Sequence, residues 1–399
     1  MTKTLSLSIL GLLVAGALSE ARADAVTDWN ARANAVLAEA RLGTPPAVRA
    51  IAIVQTAVHE AIVASHGASL DAAIAAANRA ALRKLVPAQA TAIDAAYQTA
   101  VDAIPDGPAK IEGIARGEQA AAGVLARREG DMAASAGDYR PVAIAGRYVP
   151  TAAPAAPHWG ARKPWLMAKA SQFRPEAPPA LDSQAWARDY NEVKALGARN
   201  SATRTPEQTE IARFWEYSLP PIYFGVLRSV ADAPGRDVAR NARLYAAAAQ
   251  AMDDALISVF DAKYHYHFWR PVTAIRNGDG DGNDATERDA SWASLIDAPM
   301  HPEFPSGHGI LAGAVAAVIE ADIGRAAMPV LATSSPTARG ATRRWSTPRE
   351  FVREVADSRI YAGIHYRAAV EAGAAAGRGI GELAAARYLQ SQRLAGEPQ

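Results

Sequence analysis

Three short polar stretches interrupt an otherwise apolar, alanine-rich chain, and each carries groups suited to holding or attacking an oxyanion. The first is Lys263-Tyr-His-Tyr-His-Phe-Trp-Arg270-Pro271. On a continuous helix Lys263 and Arg270, two turns apart, share a face at about 10 Å along the axis, within reach of one ligand. The aromatic residues between them argue for a buried segment rather than a solvated basic face. The second is Phe304-Pro305-Ser306-Gly307-His308-Gly309, a polar turn opening the apolar run Ile310–Ile323. It places Ser306 at a helix N-cap beside unpaired backbone N–H groups, an end that attracts anions, though Ser306 could equally be only a cap. Gly307 lets the backbone approach a ligand closely, and His308 on the first turn can exchange protons with it. The third is Ser358-Arg359-Ile-Tyr-Ala-Gly363-Ile-His365. A spacing of six would put Arg359 and His365 about 120° apart on one helix, so the helix must break between them, and Gly363 is the expected place.

Together these stretches supply three fixed cations (Lys263, Arg270, Arg359), neutral donors at Ser306 and Gly307, and two titratable imidazoles, His308 and His365. That is a set for a tetrahedral, multiply charged oxyanion, with one imidazole attacking or ligating and the other moving protons.

The rest of the chain must bring these stretches together. It has 399 residues, 50% hydrophobic and 21% charged, so it can bury a large core and is not a charged disordered chain. A net charge of +1 gives no electrostatic footprint for nucleic acid. The absence of cysteine excludes disulfides, thiolate zinc sites, iron–sulfur clusters and cysteine nucleophiles. Lys3, the apolar run Leu5–Leu18 and Ala21-Arg22-Ala23 read as a secretory signal peptide over residues 1–23, with the mature chain starting near Asp24 and located in the periplasm or secreted. No later stretch reads as a membrane span. Helices are expected over Asp28–Arg41, Pro46–His66, Pro87–Ala103, Lys110–Arg128, Asp182–Leu196 and Asp237–Arg270. Thr205-Pro206-Glu207-Gln208 and Thr347-Pro348-Arg349-Glu350 read as helix starts. Gly137–Pro164 and Gly278–Pro305 read as loops. No linker divides residues 24–399, so we expect one all-helical (all-α) domain, or two bundles sharing an interface, with the motif core at about residues 240–390.

The pattern K-x6-R-P, P-S-G-H, S-R-x5-H resembles the signature of the superfamily that joins vanadium-dependent haloperoxidases to type 2 phosphatidic acid phosphatases. All ten fixed residues are present in order. Pro157-His158-Trp159-Gly160 and the segment Asp189–Trp215 also look like bacterial vanadium haloperoxidase-like proteins. The resemblance implies an all-helical fold around four-helix bundles. It implies that Lys263, Arg270, Ser306, Gly307 and Arg359 hold the oxygens of vanadate, or of phosphate in the same site. His365 would be the apical vanadium ligand and His308 the acid–base residue. The implied activity is oxidation of halide by hydrogen peroxide to hypohalous acid. His301, seven before His308, occupies the position where bromide-type enzymes carry His and a chloride-type enzyme an aromatic residue, which favours bromide or iodide. The alternatives are a periplasmic acid phosphatase acting on phosphomonoesters, with His365 as nucleophile, or a non-catalytic oxyanion-binding member. Implied partners are small molecules, with no nucleic acid and no membrane span after leader cleavage.

One position departs from the pattern. The phosphatase signature continues H-x3-D, many of the peroxidases carry Asp there too, and here that position is Ala369. Without that Asp, His365 needs another partner to orient its ring, such as a backbone carbonyl. The loss harms a nucleophile more than a metal ligand, which tilts the reading toward vanadate. Asp279-Gly-Asp281-Gly-Asn283-Asp284 lacks the Gly and Glu of a calcium loop and reads as a polar turn. His265 and His267 point to different faces. Gly373, Gly377 and Gly381 recur every four residues and predict close helix packing.

Overall fold

The computed structural model describes residues 24–131 and 139–389; the leader expected over residues 1–23 lies outside them. Five helices come first: α1 (Ala25–Glu39), α2 (Thr44–Ala64), α3 (Leu70–Leu85), α4 (Ala90–Asp102) and α5 (Pro108–Arg127). After the largely irregular residues 139–183 come α6 (Gln184–Leu196), α7 (Pro206–Phe214), α8 (Pro220–Ala231), α9 (Val238–Tyr266) and α10 (Pro271–Arg276). A second loop leads to α11 (Gly307–Ile323), the antiparallel hairpin β1 (Leu331–Ser335) and β2 (Ala341–Trp345), then α12 (Pro348–Tyr361) and α13 (Arg367–Tyr388).

The centre of the molecule is α9, whose 29 residues span about 43 Å. It packs against α2, α11 and α13. Helix α2 also packs on α3 and α5 and so joins a second helical group to the first. Ala246 to Ala249 are fully buried in α9, and small side chains at these positions let its neighbours approach closely. Helix α11 is apolar on every side, as a helix buried all round must be: Ile310, Leu311, Val315, Val318 and Ile319 all lie in the core.

A buried polar joint fixes the irregular stretch onto this core. Arg49 of α2 pairs with Asp253 of α9 at 2.6 Å and also with Asp131. Asp254 accepts from the backbone N–H groups of Trp165, Leu166 and Met167, and Asp253 from Trp165 Nε1. Removing one partner of such a buried pair leaves an uncompensated charge, at a cost of about 3–5 kcal/mol. Nearby, Gly160 lies against the backbone of α9, where a Cβ would come within 2.8 Å of Asp261 Cα.

The capping box at Thr205 forms with both of its reciprocal bonds, and Thr347 caps α12 by accepting from Glu350 N. Five expectations need correction. Helix α3 was not anticipated, although Ser69 caps it. Helix α8 and the hairpin were also missed; the hairpin forms because Leu331 and Trp345, paired in register, are buried together. Helix α2 is long and apolar enough to cross a membrane, but most of it is buried inside this fold, around Arg49. Finally, α9 ends at Tyr266, not at Arg270. The helix stops where His267 turns left-handed (φ 54°), and Arg270 is extended because the ring of Pro271 disfavours helical geometry in the residue before it.

Candidate active site

Lys263 and Arg270 therefore do not share a helix face. Lys263 lies on the last turn of α9, and Arg270 is the N-cap of α10. The chain reversal between them leaves both buried beside one cavity, which Lys263 lines and Arg270 approaches from behind His301 and His365. Ser306 caps α11, accepting from Gly309 N at 3.3 Å, which leaves its O–H free to donate. Its own N–H donates to Ala369 O of α13 at 2.9 Å, so the cap is tied to the facing helix. Gly363 has φ +78° and breaks the chain between α12 and α13, as expected from the Arg359–His365 spacing. It packs directly on Gly197, where the two backbones leave no room for a side chain.

Lys263, His301, Gly307, His308, Arg359 and His365 line one cavity of about 390 Å³. Its other walls are largely apolar, with Leu256, Val259, Phe260, Leu311 and Ile364, while exposed Glu216 and Asp297 also border it. Arg270 reaches the same place through its guanidinium, donating to Ile364 O at 2.7 Å with the same nitrogen 3.2 Å from His365 Nε2. Its other nitrogens donate to His301 O at 3.0 Å and to His301 Nδ1 at 2.9 Å. Of the residues singled out, Lys263, Gly307, His308, Arg359, His365 and His301 line the cavity, while Arg270 and Ser306 are buried behind its wall, Arg270 against His301 and His365 and Ser306 next to Gly307.

The Lys263 ammonium donates to three carbonyls, those of Pro302, Glu303 and Pro305, at 2.9, 2.8 and 2.6 Å. It therefore shapes the loop that leads into Ser306, and must exchange one of these bonds to touch an anion directly. Burial, then the nearby Arg270, push its pKa well below the usual lysine range. Burial lowers Arg270 and Arg359 to about 10. Arg359 donates to Trp215 O, and its Nε is buried without a partner. His308 Nε2 is likewise buried and unpartnered. Burial, then Arg359, hold His308 neutral, well below the usual imidazole range. His365 is held there by burial and then by Arg270, Lys263 and Arg359. His301 is held there by burial, then Lys263 and Arg270.

One functional residue escaped the sequence reading. The expected partner for His365 was a backbone carbonyl; the structure instead supplies the carboxylate of Glu303, whose Oε1 lies 2.7 Å from His365 Nδ1. The same oxygen accepts from Tyr366 N at 3.1 Å. Burial raises Glu303 to about 7, opposed by Arg270 and Lys263. The available signal was a lone acid within an apolar, proline-rich run, His301-Pro-Glu-Phe-Pro-Ser306. The turn at Asp279–Asp284 behaves as a polar turn: Asp281 accepts from Trp186 Nε1, Asn283 N and Thr286 Oγ1.

The geometry suits a tetrahedral oxyanion. Two unpartnered nitrogens, a free serine hydroxyl and the first-turn amides of α11 are brought together with three cations. A Cβ at Gly307 would meet nothing within 4 Å, so the space beside that backbone is open for a ligand. Three cations against the Glu303 carboxylate leave the site positive when its imidazoles are neutral.

Residues 243–393 match the family model described as the VCPO second helical-bundle domain. The chain is 31% identical over 172 residues to the vanadium chloroperoxidase of Curvularia inaequalis, a match covering 35% of this chain and 28% of that protein's length. A crystal structure described as the first bacterial vanadium-dependent iodoperoxidase superposes with a TM-score of 0.78 at 24% identity, covering 92% of this chain and 96% of that one. A holo-type bacterial vanadium-dependent chloroperoxidase superposes with a TM-score of 0.71 at 18% identity, covering 88% and 94%.

Proposed function

Because this chain belongs with the vanadium haloperoxidase-like proteins, we propose that its cavity holds vanadate and that it oxidises halide with hydrogen peroxide to hypohalous acid. The observation that carries this reading is that Lys263, Gly307, Arg359 and two neutral imidazoles line one pocket, with Arg270 bonded to His365 and Ser306 capping the helix that Gly307 opens. Vanadate held there supplies a Lewis acid that activates peroxide without changing its own oxidation state. The chain's own part is to hold and polarise. Arg359 Nε, the Arg270 guanidinium, the Ser306 hydroxyl and the Gly307 amide donate to the oxygens, and Lys263 adds charge from behind the loop. His365, with Nδ1–H donated to Glu303, keeps Nε2 unprotonated, and the Arg270 nitrogen 3.2 Å from it must yield for Nε2 to serve as the metal ligand. His308 is kept neutral by burial and has a free Nε2, so it can take a proton from peroxide. His301, bonded to Arg270, would border the halide, and bromide or iodide is the proposed substrate.

A second reading is favoured by one observation. The absent Asp at position 369 argued against a histidine nucleophile, but Glu303 restores a carboxylate behind His365. The same residues could then serve an acid phosphatase: His365 attacks phosphorus, and His308 protonates the leaving alcohol and next activates water. We further propose export to the periplasm or beyond on the leader sequence, with residues 24–399 as the mature unit.

The test uses the purified apo protein. One arm supplies vanadate, peroxide and bromide or iodide with a halogenatable dye; the other supplies a phosphomonoester. Dye halogenation that requires vanadate and vanishes in His365→Ala supports the first reading. Phosphate release blocked by vanadate supports the second. A folded protein silent in both arms is an oxyanion-binding relative and sinks both.

A further inference from the structure

Glu303 is fully buried, and a carboxylate placed there costs free energy unless it is used. Its backbone is held at both ends. Its N–H donates to Phe268 O at 2.8 Å, and its carbonyl accepts from Lys263 at 2.8 Å. The side chain reaches the turn that begins α13. There Oε1 takes two donors at once, His365 Nδ1 at 2.7 Å and Tyr366 N at 3.1 Å. These bonds fix the imidazole in two ways. They select the tautomer that carries its proton on Nδ1, and they lock the ring to the backbone of the next residue. Position 369, where the resembling phosphatases carry Asp, is here a buried alanine whose carbonyl is taken by Ser306.

We propose that Glu303 is the positioning residue for His365, a carboxylate delivered from the loop before α11 in place of one on α13, and that it sets the affinity of the cavity for oxyanions. Glu303 acts through the imidazole and does not touch the ligand. An outer partner of a ligating histidine typically controls metal affinity by about 10–100-fold. The proposal rests on the reading of His365 as the ligating group, but concerns binding rather than turnover.

The test measures binding of orthovanadate, and separately of inorganic phosphate, by equilibrium dialysis of the full chain. Glu303→Gln keeps the shape and removes the charge, and Glu303→Ala removes both. Because Lys263 is held by the Glu303 carbonyl, neither change removes that contact. The expected result is weaker vanadate binding, by about tenfold or more in Glu303→Ala and less in Glu303→Gln. The halide KM should stay unchanged at saturating vanadate. Glu303→Gln should add no further loss in a His365→Ala background, and Ala369→Asp should restore part of the affinity in Glu303→Ala. Wild-type affinity in a folded Glu303→Gln protein would overturn the proposal, as would a loss that persists undiminished without His365. If Glu303→Gln and the relocated-carboxylate protein both fail to fold, Glu303 belongs to the fold, which overturns it equally. A wild-type chain that binds vanadate but halogenates nothing would sink the haloperoxidase reading and leave this one standing.

Discussion

Gly307 isolates the anion cradle from the stability of the fold. It sits on the first turn of α11, lines the cavity, and has no neighbour within 4 Å of where a Cβ would stand. Alanine is also the better helix former. Gly307→Ala should therefore fold as well as wild type and project a methyl into the space where an oxygen would sit. We expect vanadate and phosphate affinity to fall roughly tenfold, about 1.4 kcal/mol, with the melting temperature unchanged or slightly higher. Titration calorimetry beside a thermal melt checks this; unchanged affinity would place the anion elsewhere in the cavity. Most of the site's membership was readable from the chain because Lys263, Arg270, Ser306, Arg359 and His365 are polar in apolar surroundings, and burial of such groups demands a shared purpose. What could not be read was how each is satisfied. That Lys263 spends its three protons on loop carbonyls, and that Glu303 answers His365, depends on a chain reversal at His267 that only packing fixes.

The N-terminus of α11 is held in place by α13, and the contact is made by glycines. A Cβ on Gly373 would lie 2.6 Å from Ser306 O and 3.2 Å from Ile310 N. Gly377 and Gly381 press on Ile310 and Ala314 further along the same helix. The four-residue glycine spacing is thus close helix packing, as the sequence indicated, and its first member sits directly behind the Ser306 cap. Gly373→Ala should force the two helices apart, costing about 1–3 kcal/mol as overpacking. It should also weaken anion binding, because Ser306, Gly307 and His308 move with the helix end. Gly123→Ala on α5, where the nearest atom is an arginine terminus at 3.5 Å, is the control and should do neither. Equal stability of the two variants would show that α11 and α13 are less tightly seated than the backbone distances require. The helices that position the site were legible from caps and apolar runs, whereas Arg270 was misplaced because the helix was carried through to Pro271. The chain turns at the left-handed His267, and Pro271 then fixes only the extended backbone of Arg270.

The fold concentrates Lys263, Arg270 and Arg359 around a cavity inside a bundle that is otherwise apolar, so an anion in the cavity and the folded state must stabilise each other. A ligand at 100 times its Kd adds about 2.7 kcal/mol to unfolding. The coupling has a definite pH sign. His301, His308 and His365 are all held below their ordinary value, by burial first and by the cations next. Each therefore contributes stability that is present above about pH 6.5 and is lost as pH falls, since the unfolded chain takes up protons that the folded one refuses. An anion offsets the cations and relaxes that refusal, so its binding is accompanied by proton uptake and strengthens on acidification. Glu303, raised to about 7, acts oppositely, because the folded state binds its proton more readily than the unfolded chain, but it is one group against three imidazoles. Sulfate is the clean probe, because its charge is constant over this range. Millimolar sulfate should raise the melting temperature above that in chloride of equal ionic strength, and the increment should grow from pH 7.5 to pH 5.5. Arg359→Ala should abolish most of it. An increment matched by chloride, or one that shrinks on acidification, would mean that the buried cations are neutralised within the protein and that the bundle does not depend on an oxyanion for its charge balance.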